Sequence, residues 1–477
     1  MSQFEAKKQN ATTLPMADSS STSSVASYGG ASIIYLSQDQ LFSILLLLPV
    51  DSILSFALTC KRFKSLACSD SLWEPVCRRD WGQACVDAMK SSFKPGNGWR
   101  SEISWLQVYK QVKQLDSVCC RRLDNFGSEP SPRASHSLNF VSDCLVLFGG
   151  GCEGGRHLDD TWVAYIGNNF QYNLQWQKID SRIPTGRFGH TCVVLNDYLV
   201  LFGGINDNGL RQNDTWIGKI ECNEMPSITL TWKLLNVGPC MPPPRGAHAA
   251  CGIGNSMIVH GGIGLSGVRL GDTWVLDLST SNCCGRWREI LTHSGPPARS
   301  GHSLTSFGGT QAVLFGGRGL GYEVLSDVWL FDLNENYLNW VQVFYERKDA
   351  PPGVSSLSRV GHSATLILGG RVLIHGGEDS FRHRKGDFWL LDIKPNPSVK
   401  TSPIELNSKL LNSKRGTWKM LKANGYSPNS RSFHRACTDP SGRHMYVFGG
   451  MVDGPLQPGE DSALRFDKEI FVVELML

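Results

Sequence analysis

Apolar residues follow two rhythms along this chain. Between Ser37 and about residue 115 they recur at helical spacing; from about 118 onward they come in short blocks cut by Gly-Gly. In the first region Leu41, Ile44, Leu45 and Leu48 stand at i, i+3, i+4 and i+7, the stripe of an amphipathic helix. Ser37 or Asp39 can cap it, and Pro49 ends it. Ile53, Leu54, Ala57 and Leu58 predict a second helix after Asp51 and Ser52. Leu66, Leu72, Trp73 and Val76 extend the cluster, and Trp105, Val108, Tyr109 and Val112 predict one more helix. Residues 1–32 are polar and Ser/Thr-rich, which predicts a disordered tail.

The second region is a repeat, and its spacing can be counted. An Arg is followed three residues later by His136, His190, His248, His302, His362 and His434. The first Gly of a Gly-Gly pair follows each His after 13, 13, 13, 14, 14 and 15 residues. From the second Gly to the Trp of an Asp-x-Trp (Trp162, Trp216, Trp274, Trp329, Trp389) the count is 12 all five times. The sixth unit reaches Phe471 instead, after 21. A lone Trp closes the units at Trp176, Trp232, Trp287, Trp340 and Trp418. Each unit therefore predicts four strands. The Gly-Gly-ended strand is apolar throughout, as for a strand covered on both faces. The chain stops before a fourth strand of the last unit, and Cys119–Asp124 stands where that strand should be. We expect this segment to close the ring as the outer strand of the last sheet, which would leave no open seam.

Composition narrows the function classes. Lys+Arg 47 against Asp+Glu 43 gives +4, no footprint for nucleic acid. The longest apolar run is far short of the ~18–20 residues that span a bilayer, and the first residues lack a signal core, so neither membrane nor secretion is expected and the cytoplasm or nucleus is. Fifteen cysteines without any C-x-x-C read as free thiols, with no metal and no cofactor expected.

Radial four-stranded units of this kind resemble the kelch repeat family over residues 118–477, which implies a mainly β fold, a six-bladed kelch β-propeller. The segment before it, with Leu48-Pro49, Cys60-Lys61-Arg62-Phe63 and Ser71-Leu72-Trp73, resembles an F-box, a small all-α helical segment placed at 33–82, with a helical linker at 83–117. Ser37 stands where that family usually has proline. A segment this short cannot bury its own apolar surface. The resemblance implies docking on a Skp-type adaptor, and through it a cullin scaffold, by Leu36, Leu41, Leu45, Leu48, Pro49, Ile53, Leu54 and Cys60. The alternative is a helical cap packed on the propeller. The whole chain resembles F-box/kelch-repeat proteins of the plant type, which implies a non-catalytic substrate receptor of a ubiquitin ligase holding an unknown protein target. A kelch scaffold that never delivers its partner for degradation is the rival.

Six histidines at one repeat position resemble a ligand ring, but a residue repeated in every blade serves the blade. The repeat arginines Arg133, Arg187, Arg245, Arg299, Arg359 and Arg431 are candidates for target binding, because guanidinium forks suit carboxylates and phosphates. Each could instead pair with a repeat Asp (Asp160, Asp214, Asp272, Asp327, Asp387). Residues that blade architecture does not demand are further candidates on the same face: Arg156, Arg211, Arg269, Arg318, Tyr322, Arg382 and His383, beside His157, Asn208 and Phe381. Insertions at about 344–358 and 451–466 fall there too, and a mobile loop is expected at about 395–415 on the opposite face. Three related chemistries fail on their residues. Kelch-type copper oxidases need a specific tyrosine and histidine set, and Tyr322 is the only tyrosine in a loop following Gly-Gly, so the set is missing. The iron motif of kelch-type specifier proteins begins at Glu323 and Asp327 but meets Phe331. The residues before Leu36 are too few for a light-sensing LOV domain.

Overall fold

A computed structural model describes residues 33–92, 104–167, 173–180, 183–222, 228–279, 284–292, 294–334, 339–347, 357–394, 415–454 and 463–477. The tail expected at 1–32 and the loop expected near 395–415 lie outside these residues, as does much of the two insertions. The chain divides into two units, residues 1–67 and 68–477.

In the first unit a short 3-10 turn, Ile33–Tyr35, precedes α1 (Gln38–Leu46), α2 (Val50–Ala57) and α3 (Lys61–Ala67). Ser37 starts α1 with a capping box: its hydroxyl accepts the Gln40 N–H, and the Gln40 side chain accepts the Ser37 N–H. Arg62 of α3 donates to the carbonyls of Ile34 and Leu36 at 2.5 and 2.9 Å and so pins the 3-10 turn. Phe56 and Phe63 stack at 4.1 Å to join α2 to α3.

The second unit opens with α4 (Asp70–Trp81), α5 (Gln83–Ser92) and α6 (Trp105–Lys113). Tyr109 lies between Trp73 and Trp81 at 5.1 and 5.2 Å and donates to Asp80 at 2.7 Å, which locks α6 onto α4. These helices rest on turns between the first two strands of the last two sheets. The Cys85 thiol bonds the Ser441 carbonyl at 3.1 Å, and Arg371 bonds the Val112 carbonyl.

The remainder is mainly β and builds six four-stranded sheets. In the first, Ser137–Val141, Cys144–Phe148, Thr161–Tyr165 and Trp176–Ile179 pair antiparallel in chain order. In the last, Arg435–Thr438, His444–Gly454 and Ala463–Leu475 are joined by Ser117–Arg122, antiparallel to the third strand from Val118 opposite Leu475 to Arg122 opposite Phe471. The first strand of the β region is therefore the outer strand of its last sheet.

Ring closure is visible in one hydrogen-bond circuit. Ser135, Gly189, Ala247, Gly301, Gly361 and Phe433 each precede a repeat histidine, and all have φ between 54° and 69°. The N–H of each donates to the carbonyl of the residue one blade back at 2.6–2.9 Å, from Phe433 to Gly361 and so round to Ser135, which donates to Phe433. A circuit that returns to its start after six steps is possible only if six blades surround one axis.

The wedges between sheets are filled by the lone tryptophans. Each packs on the aromatic residue before Gly-Gly of the preceding blade: Trp232 on Phe148 at 5.8 Å, Trp287 on Phe202 at 4.9 Å, Trp340 on His260 at 5.2 Å, Trp418 on Phe315 at 4.9 Å and Trp176 on Phe448 at 6.1 Å. The last blade lacks that Trp, and Phe471 sits against His375 at 5.9 Å instead. The Gly-Gly that follows admits no side chain: a Cβ on Gly203 would lie 2.9 Å from the Arg245 carbonyl and 3.0 Å from the His248 ring.

Candidate functional site

The repeat arginines are spent on the fold. All six are 0% exposed. Arg187 donates to both carboxylate oxygens of Asp214 at 2.6 and 2.9 Å and to the Gly203 carbonyl at 3.0 Å, while Asp214 also accepts from Trp216 at 2.6 Å. The Arg133–Asp160–Trp162, Arg245–Asp272–Trp274, Arg299–Asp327–Trp329 and Arg359–Asp387–Trp389 sets repeat this bidentate pattern. Arg431 pairs with Glu469 and Asp467, its guanidinium over the Phe471 ring. Burial pushes the carboxyls of Asp160, Asp272, Asp327 and Asp387 upward, but the facing guanidinium outweighs it and holds each below the usual range. These arginines have no free face for a target, and the expectation that they bind one is corrected: each is a buried guanidinium whose charge its own blade's carboxylate satisfies.

The face carrying the loops after Gly-Gly keeps other residues available. Apolar side chains stand exposed at the tips of four successive blades: Leu210, then Leu265 and Val268, then Leu320 and Tyr322, then Phe381, the last two at 69% and 79%. Charge links these blades laterally. Arg269 lies over the Tyr322 ring at 4.5 Å and donates to Ser300 at 3.0 Å. Arg318 reaches Glu378 at 3.3 Å; Arg384 reaches Glu378 at 3.7 Å and Asp453 at 2.5 Å. Arg156, Arg382 and His383 are exposed, whereas Arg211, Arg269 and Arg318 are half-buried. The result is an apolar rim with charges tied to one another between its points, which suits a protein surface more than a small ligand. Residue counting found Tyr322 and Phe381 but missed Leu210, Leu265, Val268 and Leu320. Their signal was available: a large apolar residue inside a Gly-containing hairpin turn has no core to enter.

In the first unit the eight expected docking residues separate. Leu41, Leu45 and Ile53 are buried, at 1%, 1% and 0% exposure, and are corrected from contacts to core. They are the inward positions of α1 and α2, and a side chain cannot both support its helix and leave it. Leu36 and Leu48 are half-buried; Pro49, Leu54 and Cys60 are exposed. The largest exposed apolar groups are Tyr35, Leu47 and Leu58, at 83%, 85% and 87%, with Ile34, Ile44 and Leu54 beside them in the exposed set. Leu47 and Leu58 each follow the last turn of a helix; Leu47 lies off the periodic stripe, and Leu58, which periodicity counted into the second helix, stands at its exposed end.

Among the described residues no group of three or more His, Cys, Asp or Glu could hold a metal, and no helix is long and apolar enough to cross a membrane.

Comparison with known proteins finds two family models on the chain. A family model for an F-box-like domain matches residues 38–79. A KLHDC2/KLHL20/DRC7 Kelch-repeats domain matches 107–231 and 189–403. An F-box/kelch-repeat protein of Arabidopsis thaliana is 57% identical over 465 residues, 94% of either chain. Putative adagio-like protein 2 of Oryza sativa is 31% identical over 82% of this chain, and Adagio protein 3 of Arabidopsis thaliana 30% over 88%. The chain spans about three fifths of those two proteins, 58% and 62%. An F-box-like domain points in general to a Skp-type adaptor, and with kelch repeats to an adaptor-type protein, typically non-catalytic. With helices of the one module preceding blades of the other, and a relative that matches both nearly end to end, this chain belongs to the F-box/kelch-repeat family.

Proposed function

We propose that this protein is the substrate-recognition subunit of a Skp–cullin–F-box ubiquitin ligase. The exposed leucines and tyrosine of the first unit dock on the Skp-type adaptor, and the loop face of the propeller holds the target. Chemistry belongs to other subunits; this chain supplies proximity, raising the effective concentration of a target lysine near the charged conjugating enzyme. The observation that carries the reading is the apolar surface of Tyr35, Leu47 and Leu58 left in water by an F-box-like segment. Pro49, Leu54 and Cys60 are exposed as well, and Leu36 and Leu48 are half-buried.

The test is capture of a purified Skp-type adaptor. Leu47→Asp with Leu58→Asp should cut capture at least ~100-fold, since two apolar anchors are replaced by charges that must be desolvated. Because both sites are exposed, the circular dichroism spectrum should stay unchanged. Undiminished capture by the double variant refutes the docking surface. Full target capture by a protein whose partner never changes in abundance, with or without the F-box, would point to the scaffold role.

Target recognition has its own measurement. Leu320→Ser with Phe381→Ser should lower recovery of the target at least ~10-fold when the proteasome is blocked, and leave adaptor capture untouched. Equal loss of both would mean that the substitutions act through folding.

A further inference from the structure

The six innermost strands line an open cavity of about 330 Å³ along the propeller axis. At the position after the repeat histidine the blades carry Ser137, Thr191, Ala249, Ser303, Ser363 and Arg435. Three of the hydroxyls serve the fold: Thr191, Ser303 and Ser363 bond the Nε2 of His248, His362 and His434 at 2.8, 2.9 and 2.9 Å. Arg435 departs from that pattern. Its Nε donates to the His136 carbonyl at 2.9 Å, and among the described residues no carboxylate pairs with its guanidinium. No Asp or Glu lines the cavity. The wall also holds His190 and His302, which burial keeps uncharged.

A second departure lies in the same blade. The circuit of six residues rims the channel at the loop-face end, and Phe433 occupies a place that is Gly or a small residue in the other five blades. A Cβ on Gly361 would meet the Phe433 ring at 2.8 Å, so the ring lies across that part of the rim. Each rim residue touches the backbone of both its neighbours. A channel behind such a rim has room for a small molecule and none for a folded loop.

Burial lowers the basicity of Arg435, but a guanidinium does not shed its proton in proteins. Arg435 is half-buried in the channel wall, and the residues lining the cavity place no carboxylate there to neutralise it. We propose that the channel is a binding site for a small oxyanion, a carboxylate or phosphate borne by a small molecule, gripped by the fork of Arg435. One planar fork matches one carboxylate or one face of one phosphate. The apolar part of the wall, Leu138, Phe140, Val194 and Leu304 among it, leaves room for a short organic body. The site is separate from the target face and does not depend on the ubiquitin-ligase reading.

The experiment uses the full chain, with inorganic phosphate and acetate as separate probes and chloride at matched ionic strength as the reference. Isothermal titration should show one saturable site for at least one probe, and the two probes tell a phosphate from a carboxylate. Melting temperature should rise by about 3 °C when the anion stands at a hundred times its Kd. Arg435→Ser, which restores the residue type of the other blades, should abolish the rise, and its own melting temperature in chloride should equal or exceed that of the parent. Arg435→Lys should keep a weaker response, since it retains charge without the fork. No saturable binding of either probe to the parent protein overturns the site, whatever the variants do. So does an undiminished response in Arg435→Ser, or an Arg435→Ser protein less stable than its parent in chloride; the last would make Arg435 a structural strut like the repeat arginines.

Discussion

Acidification from pH 7.5 to 5.5 is expected to unfold the propeller at denaturant concentrations it otherwise tolerates. Eight histidines, 136, 190, 248, 260, 302, 362, 375 and 434, are at most 6% exposed. Burial, reinforced by nearby cationic groups such as the blade arginines, holds them below the ordinary imidazole value, with His260, His362 and His375 at about 3. Above about pH 6.5 both folded and unfolded chains leave these groups neutral, so they add no pH dependence. Below it the unfolded chain takes up protons that the folded chain refuses, and stability falls until pH approaches the folded values. One pH unit down, each histidine costs ~1.4 kcal/mol, and eight cost roughly 10 kcal/mol, the size of a whole domain's stability. His444 acts in the opposite sense. Burial pulls it down, but hydrogen bonds to Asp439 and Glu474 outweigh that and raise it to about 9. Its contribution is complete below about pH 6.5 and is lost as pH climbs through about 9. The stability plateau should therefore lie between about pH 6.5 and 8. Urea midpoints followed by tryptophan fluorescence at pH 5.5, 6.5 and 7.5 test this. A midpoint that does not move between 7.5 and 5.5 would show that the inner histidines are not held neutral.

Asp327→Ala is expected to cost ~3–5 kcal/mol, because it leaves the buried Arg299 guanidinium without its counter-charge. Asp327 accepts from Arg299 at 2.6 and 2.7 Å and from Trp329 at 2.7 Å, so three donors lose a partner in one substitution. Replacing both members, Arg299→Met with Asp327→Leu, should cost less than Asp327→Ala alone. The pair is dear to break and less dear to omit, since the double change leaves no buried charge behind. Lys219 and Glu221 also pair, at 2.8 Å, but on the surface, and Glu221→Gln should leave the denaturation midpoint in place. A loss in Asp327→Ala no larger than in Glu221→Gln would mean that the blade pairs do not hold the sheets.

Much of the fold was legible as counting. The interval of 12 from Gly-Gly to the Asp-x-Trp tryptophan is the length of one hairpin, and it recurs because every blade builds the same one. The Arg-to-Asp alternative was visible as two residues repeated in step, although spacing alone could not tell a strut from a ligand contact. The candidate site was less legible. Leu41 and Leu47 are the same residue six positions apart; one is core and the other is open to solvent. Arg435 would stand out in a column of the six first strands as the only charged member. The column acquires meaning only once that position is known to face the channel.

The amino-acid order by itself determined the local units: where helices give way to strands, how many hairpins there are, and which positions repeat. Such features depend on residues within one hairpin or one helical turn of each other. The tertiary structure alone decided which side chains remain available. Burial, pairing and neutrality are set by what a neighbouring blade places opposite a residue, from tens of positions away to the far end of the chain, as when Ser117–Arg122 meets Ala463–Leu475. For that reason the six arginines looked like a binding ring in sequence and proved to be struts, while the one arginine that faces the channel without a carboxylate took its meaning from the packing of six blades around an axis.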